Sequence, residues 1–167
     1  SASFTCILKT QKSTWKRTIR LFRRFRGIET ENDVDWNEKH VLAKASFSPD
    51  VLTRKVVCDT SAGYIERETH RNTSWQQARF ECCHHKWCDM SEFGGGIALI
   101  NDGKYGIGID EGTMSLSLLR ATIRPDVVSD MGMHSFCYMI MPHGGDPITA
   151  GVNEIATEYN VPLVKSD

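Results

Sequence analysis

The chain has 167 residues, with 20 Lys and Arg against 21 Asp and Glu for a net charge of −1. That length suits one globular domain, and 40% apolar with 25% charged residues can bury a sizeable core, which excludes a disordered tail or a collagen-like repeat. No run approaches the roughly 18 to 20 apolar residues that a spanning helix needs.

The opening SASFTCILKTQK lacks a secretory leader pattern and an initiator Met, so the sequence is expected to be a piece of something longer. Its first 28 residues hold eight cations, Lys9, Lys12, Lys16, Arg17, Arg20, Arg23, Arg24 and Arg26, and no acid. A basic arm of this kind can bind nucleic acid. The alternation argues otherwise. Trp15, Ile19, Leu21 and Phe25 share one parity over residues 15–26, while Lys16, Thr18, Arg20, Arg24 and Arg26 take mainly the other. This is the pattern of a half-buried strand with a cationic wet face, and it predicts neither a nucleic-acid nor a membrane partner.

Period-2 patterning continues. Ile28, Thr30, Asn32, Val34 and Trp36 make one strand parity, and Val41, Ala43, Ala45 and Phe47 another, with Asn37, Glu38 and Lys39 turning between them as in a meander. Short strands follow at residues 55–58 and 63–68, then at 78–86, 96–100, 104–109, 113–120 and 134–141. Turn residues separate the later ones at Gly94-Gly95-Gly96, Asn101-Asp102-Gly103, Asp110-Glu111-Gly112 and Arg124-Pro125-Asp126. Asp102-Gly103 between two apolar runs is the strongest hairpin signal. Residues 148–160 place Val152, Ile155, Ala156 and Tyr159 at helical spacing between Pro147 and Pro162, which predicts one amphipathic helix. Many short strands and a single helix predict an all-β, antiparallel β-sandwich, one domain or part of one.

The six cysteines, Cys6, Cys58, Cys82, Cys83, Cys88 and Cys137, suit free thiols in a reducing compartment better than a disulfide framework. The run Cys82-Cys83-His84-His85-Lys86-Trp87-Cys88 offers soft ligands for Zn²⁺, but a structural site wants a second ligand pair, and none follows. On a strand, Cys82, His84 and Cys88 would share one face and Cys83 and His85 the other, so no metal site is expected. Asn72-Thr73-Ser74 matches a glycosylation acceptor that has no meaning without export. The glycines at 94–96 lead into a strand rather than a helix, unlike a phosphate loop.

Residues 66–75, ERETHRNTSW, pack hydrogen-bonding groups beside an indole without strand alternation. Planar donors and acceptors next to an aromatic platform suit sugar recognition. The same residues also suit a loop that satisfies itself at a sandwich edge.

Longer motifs carry a resemblance. Val34-Asp35-Trp36-Asn37-Glu38-Lys39-His40, Thr69-His70-Arg71-Asn72-Thr73-Ser74-Trp75, Ala78-Arg79-Phe80-Glu81 and His85-Lys86-Trp87 with Asp89 and Ser91-Glu92 appear in order. They continue through residues 98–106, Leu116-Ser117-Leu118-Leu119-Arg120-Ala121 and Pro142-His143. Over roughly residues 15–163 the chain resembles the C-terminal region of glycoside hydrolase family 38 α-mannosidases, closest to the cytosolic and bacterial branch. It departs at Glu68, where that branch usually has Pro, and at Cys88, Gly103 and Thr122. Loss of Pro at 68 removes a fixed φ at the entry to the 69–75 loop.

The resemblance implies a parent that is a retaining, zinc-dependent α-mannosidase with an N-terminal catalytic barrel and a helical domain. Retaining hydrolysis needs two carboxyl groups about 5 to 5.5 Å apart. None of the barrel motifs is in this chain, which therefore looks like the galactose-mutarotase-like sandwich alone, with no catalytic residue, no metal site and no cofactor of its own. The family's region extends past residue 167, so the sandwich is expected to be incomplete. The resemblance also implies a cytoplasmic location, mannose-containing glycans reached through the parent, and contacts with the parent's other domains or in a homo-oligomer. His70, Arg71, Asn72, Trp75, Asp102, Lys104 and Tyr105 are the residues expected at the edge of the carbohydrate pocket. They serve equally as an interdomain interface or loop scaffold. The second functional reading is a stand-alone carbohydrate-binding or interaction module.

Overall fold

The computed structural model describes residues 1–23 and 26–161. In chain order the elements are β1 (Ala2–Lys9), β2 (Thr14–Leu21), β3 (Ile28–Trp36), β4 (Leu42–Phe47), β5 (Lys55–Thr60), β6 (Gly63–Glu68) and α1 (Ser74–Ala78). They continue with β7 (Cys82–Cys83), β8 (Trp87–Glu92), β9 (Gly95–Asn101), β10 (Gly106–Asp110), β11 (Thr113–Arg120), β12 (Gly132–Gly144) and α2 (Val152–Asn160). An eight-stranded antiparallel sheet runs β1-β2-β3-β12-β9-β8-β5-β6, and a four-stranded one runs β4-β11-β10-β7. The all-β sandwich expected from the patterning is the fold observed.

The alternation in β3 works as read. Thr30, Asn32, Val34 and Trp36 point into the core, and only Ile28, at the strand's start, remains exposed. Across β2 and β3 two of the eight cations meet acids locally. Lys16 lies 3.4 Å from Asp33, and Arg20 pairs with Glu31 and stands 3.7 Å from Glu29. Arg17 is on the buried parity, its guanidinium 5.6 Å from the Trp15 ring centroid, and its Nε donates to Asn32 Oδ1 at 3.4 Å. Arg24 and Phe25 of the expected 15–26 strand, and Pro162 after the helix, lie outside the described residues.

The expected meander stops at β3. β4 leaves it to pair with β11 in the smaller sheet, and β3 pairs with β2 and β12 instead. His40 adopts a left-handed φ of 57°, and the bonds His40 N to Ala121 O (2.9 Å) and Ala121 N to Val41 O (3.1 Å) fasten the redirected chain beside β11. Asp102-Gly103 likewise makes no hairpin. Asn101 Oδ1 accepts from Gly103 N (2.9 Å) and Lys104 N (2.6 Å), and this side-chain turn carries the chain from β9 in one sheet to β10 in the other. A tight hairpin follows instead at Glu111-Gly112, both with positive φ, between paired Asp110 and Thr113.

The strand expected at residues 78–86 is mostly absent. Thr73 and Gln76 form a capping box, with Gln76 N donating to Thr73 Oγ1 (3.3 Å) and Thr73 N to Gln76 Oε1 (2.9 Å), so the chain takes one helical turn first. Only Cys82–Cys83 then pairs, with β10. Two strands fall outside the expected set. β1 lies at a sheet edge with both faces largely exposed, and β8 is buried on both faces, so neither presents a clean apolar alternation. Gly95, expected in a turn, joins Gly96 in β9. A Cβ on Gly96 would fall 2.6 Å from the Met90 carbonyl oxygen, and one on Gly95 would fall 2.7 Å from that of His143.

Two apolar layers result. Between the sheets lie Trp15, Val34, Trp36, Val56, Met90, Leu99, Ile107, Met114, Leu116, Phe136 and Tyr138. On the outer face of the large sheet, Val152 and Ala156 of α2 pack on Trp87, Ala98, Ile100, Met139 and Met141. Each fully buried large side chain contributes about 1.5 to 3 kcal/mol. The helix is shorter than the expected 148–160. Asp146 Oδ1 accepts from Ile148 N (3.0 Å) and Thr149 N (3.1 Å), holding 148–151 as a turn before Gly151 (φ 73°) admits the helix.

Candidate functional site

The polar loop after β6 opens onto a cleft of about 410 Å³ between the end of β6, α1, β7 and the end of β10. His70 and Arg71 line it, together with Lys55, Glu66, Arg67, Glu68, Arg79 and Cys82. The strand period explains part of this set, since Glu66 and Glu68 stand on one face of β6. Lys55 pairs with Glu66 across β5 and β6, and Glu68 accepts from Gln76 Nε2. Thr69 anchors the loop by donating to Thr53 O at 2.9 Å. Arg71 Nη2 donates to Ile109 O at 3.5 Å, and its Nε is 3.4 Å from Asp110 Oδ1.

The other expected site residues separate. Asn72 is exposed, and Trp75 stands 77% exposed on α1 without lining the cleft. Asp102, Lys104 and Tyr105 sit at the opposite end of β10. Asp102 Oδ2 accepts from Cys137 N at 2.8 Å, and burial pushes its carboxyl up from the ordinary value. Lys104 Nζ lies 4.4 Å from the Phe136 ring centroid, and burial lowers its ammonium. The Tyr105 ring is 5.6 Å from that of His85. The structure thus brings His70 and Arg71 together and places the remaining expected residues on the α1 surface or at the β9–β10 crossover.

Three buried polar networks escaped the sequence reading. Asp59, within β5, accepts through Oδ1 from the amides of His85 (2.9 Å), Lys86 (2.8 Å) and Trp87 (3.0 Å). His84 is fully buried, with Nδ1 3.2 Å from Tyr105 O and Nε2 2.8 Å from Asn101 Nδ2. Asn101 therefore donates to Nε2, and Nδ1 carries the proton that goes to Tyr105 O. Burial lowers this imidazole to about 4, so it is neutral. Asp89 Oδ2 lies 2.6 Å from His143 Nε2, while Ser91 donates to its other oxygen; burial outweighs both bonds and raises the Asp89 carboxyl. Only the density of polar letters in a buried-looking stretch, HHKWCDMSE, could have signalled these groups.

The cysteines form a cluster rather than a ligand shell. Cys58 and Cys88, facing each other across β5 and β8, have Sγ atoms 3.5 Å apart, and Cys82 Sγ donates to Ile107 O at 3.5 Å. The hydrogen bond with Cys58, then burial, holds the Cys82 thiol far up. Among the described residues no three His, Cys, Asp or Glu side chains converge as a metal shell would require, and both ring nitrogens of His84 are engaged.

Residues 1–128 match the family model described as the glycosyl hydrolases family 38 C-terminal domain. The chain belongs to that family. Relatives agree: it is 42% identical over 137 residues to alpha-mannosidase 2C1 of Homo sapiens, covering 82% of this family 38 chain and 13% of the relative. It is 45% identical over 125 residues to alpha-mannosidase G of Dictyostelium discoideum, covering 75% and 12%. The chain thus spans about an eighth of the length of these relatives. A crystal structure of an alpha-mannosidase from Enterococcus faecalis V583 has the same fold, with a TM-score of 0.81 at 13% identity over 90% of this family 38 domain and 18% of that chain.

Proposed function

We propose that this chain is the non-catalytic sandwich of a longer, zinc-dependent retaining α-mannosidase that removes terminal α-mannose residues, working in the cytoplasm beside a catalytic barrel and a helical domain. The match of residues 1–128 to the family's C-terminal domain carries the reading. The donor set here does not fit the zinc: the soft ligands of the 82–88 run point apart, with Cys83 exposed, Cys82 bonded to Ile107 O and His84 committed to Asn101 and Tyr105. This supports a zinc held by another part of the longer protein. The carboxylates of the cleft are occupied as well, Glu66 by Lys55 and Glu68 by Gln76, which leaves no free acid and nucleophile pair there.

Within the parent, His70 and Arg71 stand where a sandwich cleft meets its surroundings, and they are the residues of this chain offered to the rim of a sugar pocket. The test assays the 167-residue chain and the full-length protein that contains it with an aryl α-mannoside, before and after metal chelation. Turnover confined to the full-length protein and restored by Zn²⁺ is the expected result. Zinc-dependent turnover by the 167-residue chain alone overturns the non-catalytic reading.

A further inference from the structure

The same cleft holds more cationic charge than the chain neutralises. Lys55, Arg67, Arg71 and Arg79 face two lining carboxylates, Glu66, which pairs with Lys55, and Glu68, which accepts from the neutral Gln76, with Asp110 beside Arg71. Arg79, exposed at the C-cap of α1, has no side-chain partner among the described residues. Arg67 reaches only Cys83 O, at a long 3.5 Å. Arg67, Arg71 and His70 line this cleft, and each also carries one nitrogen, Arg67 Nε, Arg71 Nε and His70 Nδ1, that is buried behind it without a hydrogen-bond partner. The Asp110 carboxylate 3.4 Å from Arg71 Nε is not aligned to accept from it.

Arg67 and Arg79 therefore hold most of their N–H donors without an acceptor among the described residues, at one opening that an anionic acceptor could enter. Guanidinium groups present planar forks that match the spacing of oxygens on a phosphate or a carboxylate. A volume of about 410 Å³ is that of a small-molecule site. We propose that this cleft binds an anionic group, a phosphate or carboxylate, held by Arg67, Arg71 and Arg79 with His70 as an additional hydrogen-bonding partner. The inference goes beyond the mannosidase reading and stands without it. The anion has two possible sources, a free small molecule and a carboxylate supplied by another part of the longer protein.

Inorganic phosphate, titrated at constant ionic strength set with NaCl, is the probe. Binding is followed by NMR through the arginine Nε–H signals and the backbone amides of residues 66–82, in both the 167-residue chain and the full-length protein. One saturable event is expected, weakened about tenfold or more by Arg79→Ala, an exposed position whose loss leaves the fold intact. Arg67→Lys, which keeps the charge but loses the fork, weakens it less than Arg67→Ala. Binding by the full-length protein assigns a mobile anion. Binding by the 167-residue chain alone assigns a carboxylate from elsewhere in the longer protein. Absence of saturation in both, or shifts unchanged by Arg79→Ala, overturns the site, whatever the mannosidase assay shows.

Discussion

Asn101 donates through Nδ2 to Nε2 of His84 at 2.8 Å, and both side chains are sealed from solvent. The same Nδ2 also donates to His85 O at 3.0 Å, while Oδ1 closes the turn that carries the chain to the second sheet. One amide thus fixes the imidazole tautomer and the path of the crossover together.

This pair makes stability depend on pH. The His84 pKa falls to about 4 in the fold, whereas the unfolded chain titrates near 6.5. Between these values the unfolded state binds the extra proton, so stability is full above pH 6.5 and declines as pH falls towards 4, by about 3 kcal/mol in all. Asp89, raised by burial, works in the opposite sense, so the comparison needs a control. Urea midpoints measured from pH 7 to pH 4 should fall less steeply in His84→Gln than in the parent sequence; parallel slopes would refute the assignment.

Asp59 gathers three consecutive amides on one oxygen. Asp59→Ala strands them in a buried site and should cost on the order of 3 kcal/mol, because charge-assisted bonds are lost and desolvated donors remain. Asp59→Asn keeps an acceptor at Oδ1 and should cost clearly less. Chemical denaturation decides between them, and equal losses would show that the bonds do not hold the 85–87 segment.

Gly96 is a packing position. An added methyl meets the Met90 carbonyl and the Ser91 side chain, so Gly96→Ala should cost about 2 kcal/mol. Gly144→Ala meets nothing nearer than 3.9 Å and should stay within about 0.5 kcal/mol. Thermal melts of the two variants side by side check the difference.

The thiols should react in a definite order. Cys83 is exposed, Cys6 and Cys137 are half-buried, and Cys58 and Cys88 are buried. Burial, with nearby Asp102, Glu29 and Glu31, also pushes Cys137 up to about 11. A disulfide reagent at pH 8, with modified peptides mapped by mass, should label Cys83 first and Cys58 and Cys88 only on unfolding. Early labelling of Cys58 would contradict the packing of β5 on β8.

Two strands with one wet face and one dry face, β3 and β11, were readable to the residue. β3 and β11 end where their alternation ends, because burial on a single side prints the period into the letters. β8 was invisible because both its faces are covered. Sheet membership was not readable either: which partner β4 or β9 chooses depends on contacts far away in sequence, and local turn chemistry at Asp102-Gly103 pointed to a hairpin that the Asn101 side chain overrides. In the cleft, His70 and Arg71 stood out as polar letters in a loop without alternation. Arg67 fell both in a strand at 63–68 and in the polar stretch 66–75, without being singled out, and Arg79 was assigned to a strand that the Thr73–Gln76 capping box replaces with a helical turn. Asp59 was hidden in VVCDT, where nothing local distinguishes an acid that caps a distant segment from one facing water.

The chain passes back and forth between the two sheets: β4, β7 and the β10–β11 hairpin lie in the small sheet, and every strand between them lies in the large one. Each sheet therefore draws its strands from along the sequence. Five of the ten strand pairings, β3–β12, β9–β12, β5–β8, β4–β11 and β7–β10, join strands that are not consecutive and must close longer loops before they gain contact energy. Topologies rich in such pairings fold in milliseconds to seconds, slower than helical bundles of similar size. A chain cut anywhere between β4 and β12 leaves two pieces that each lack partners for some of their strands.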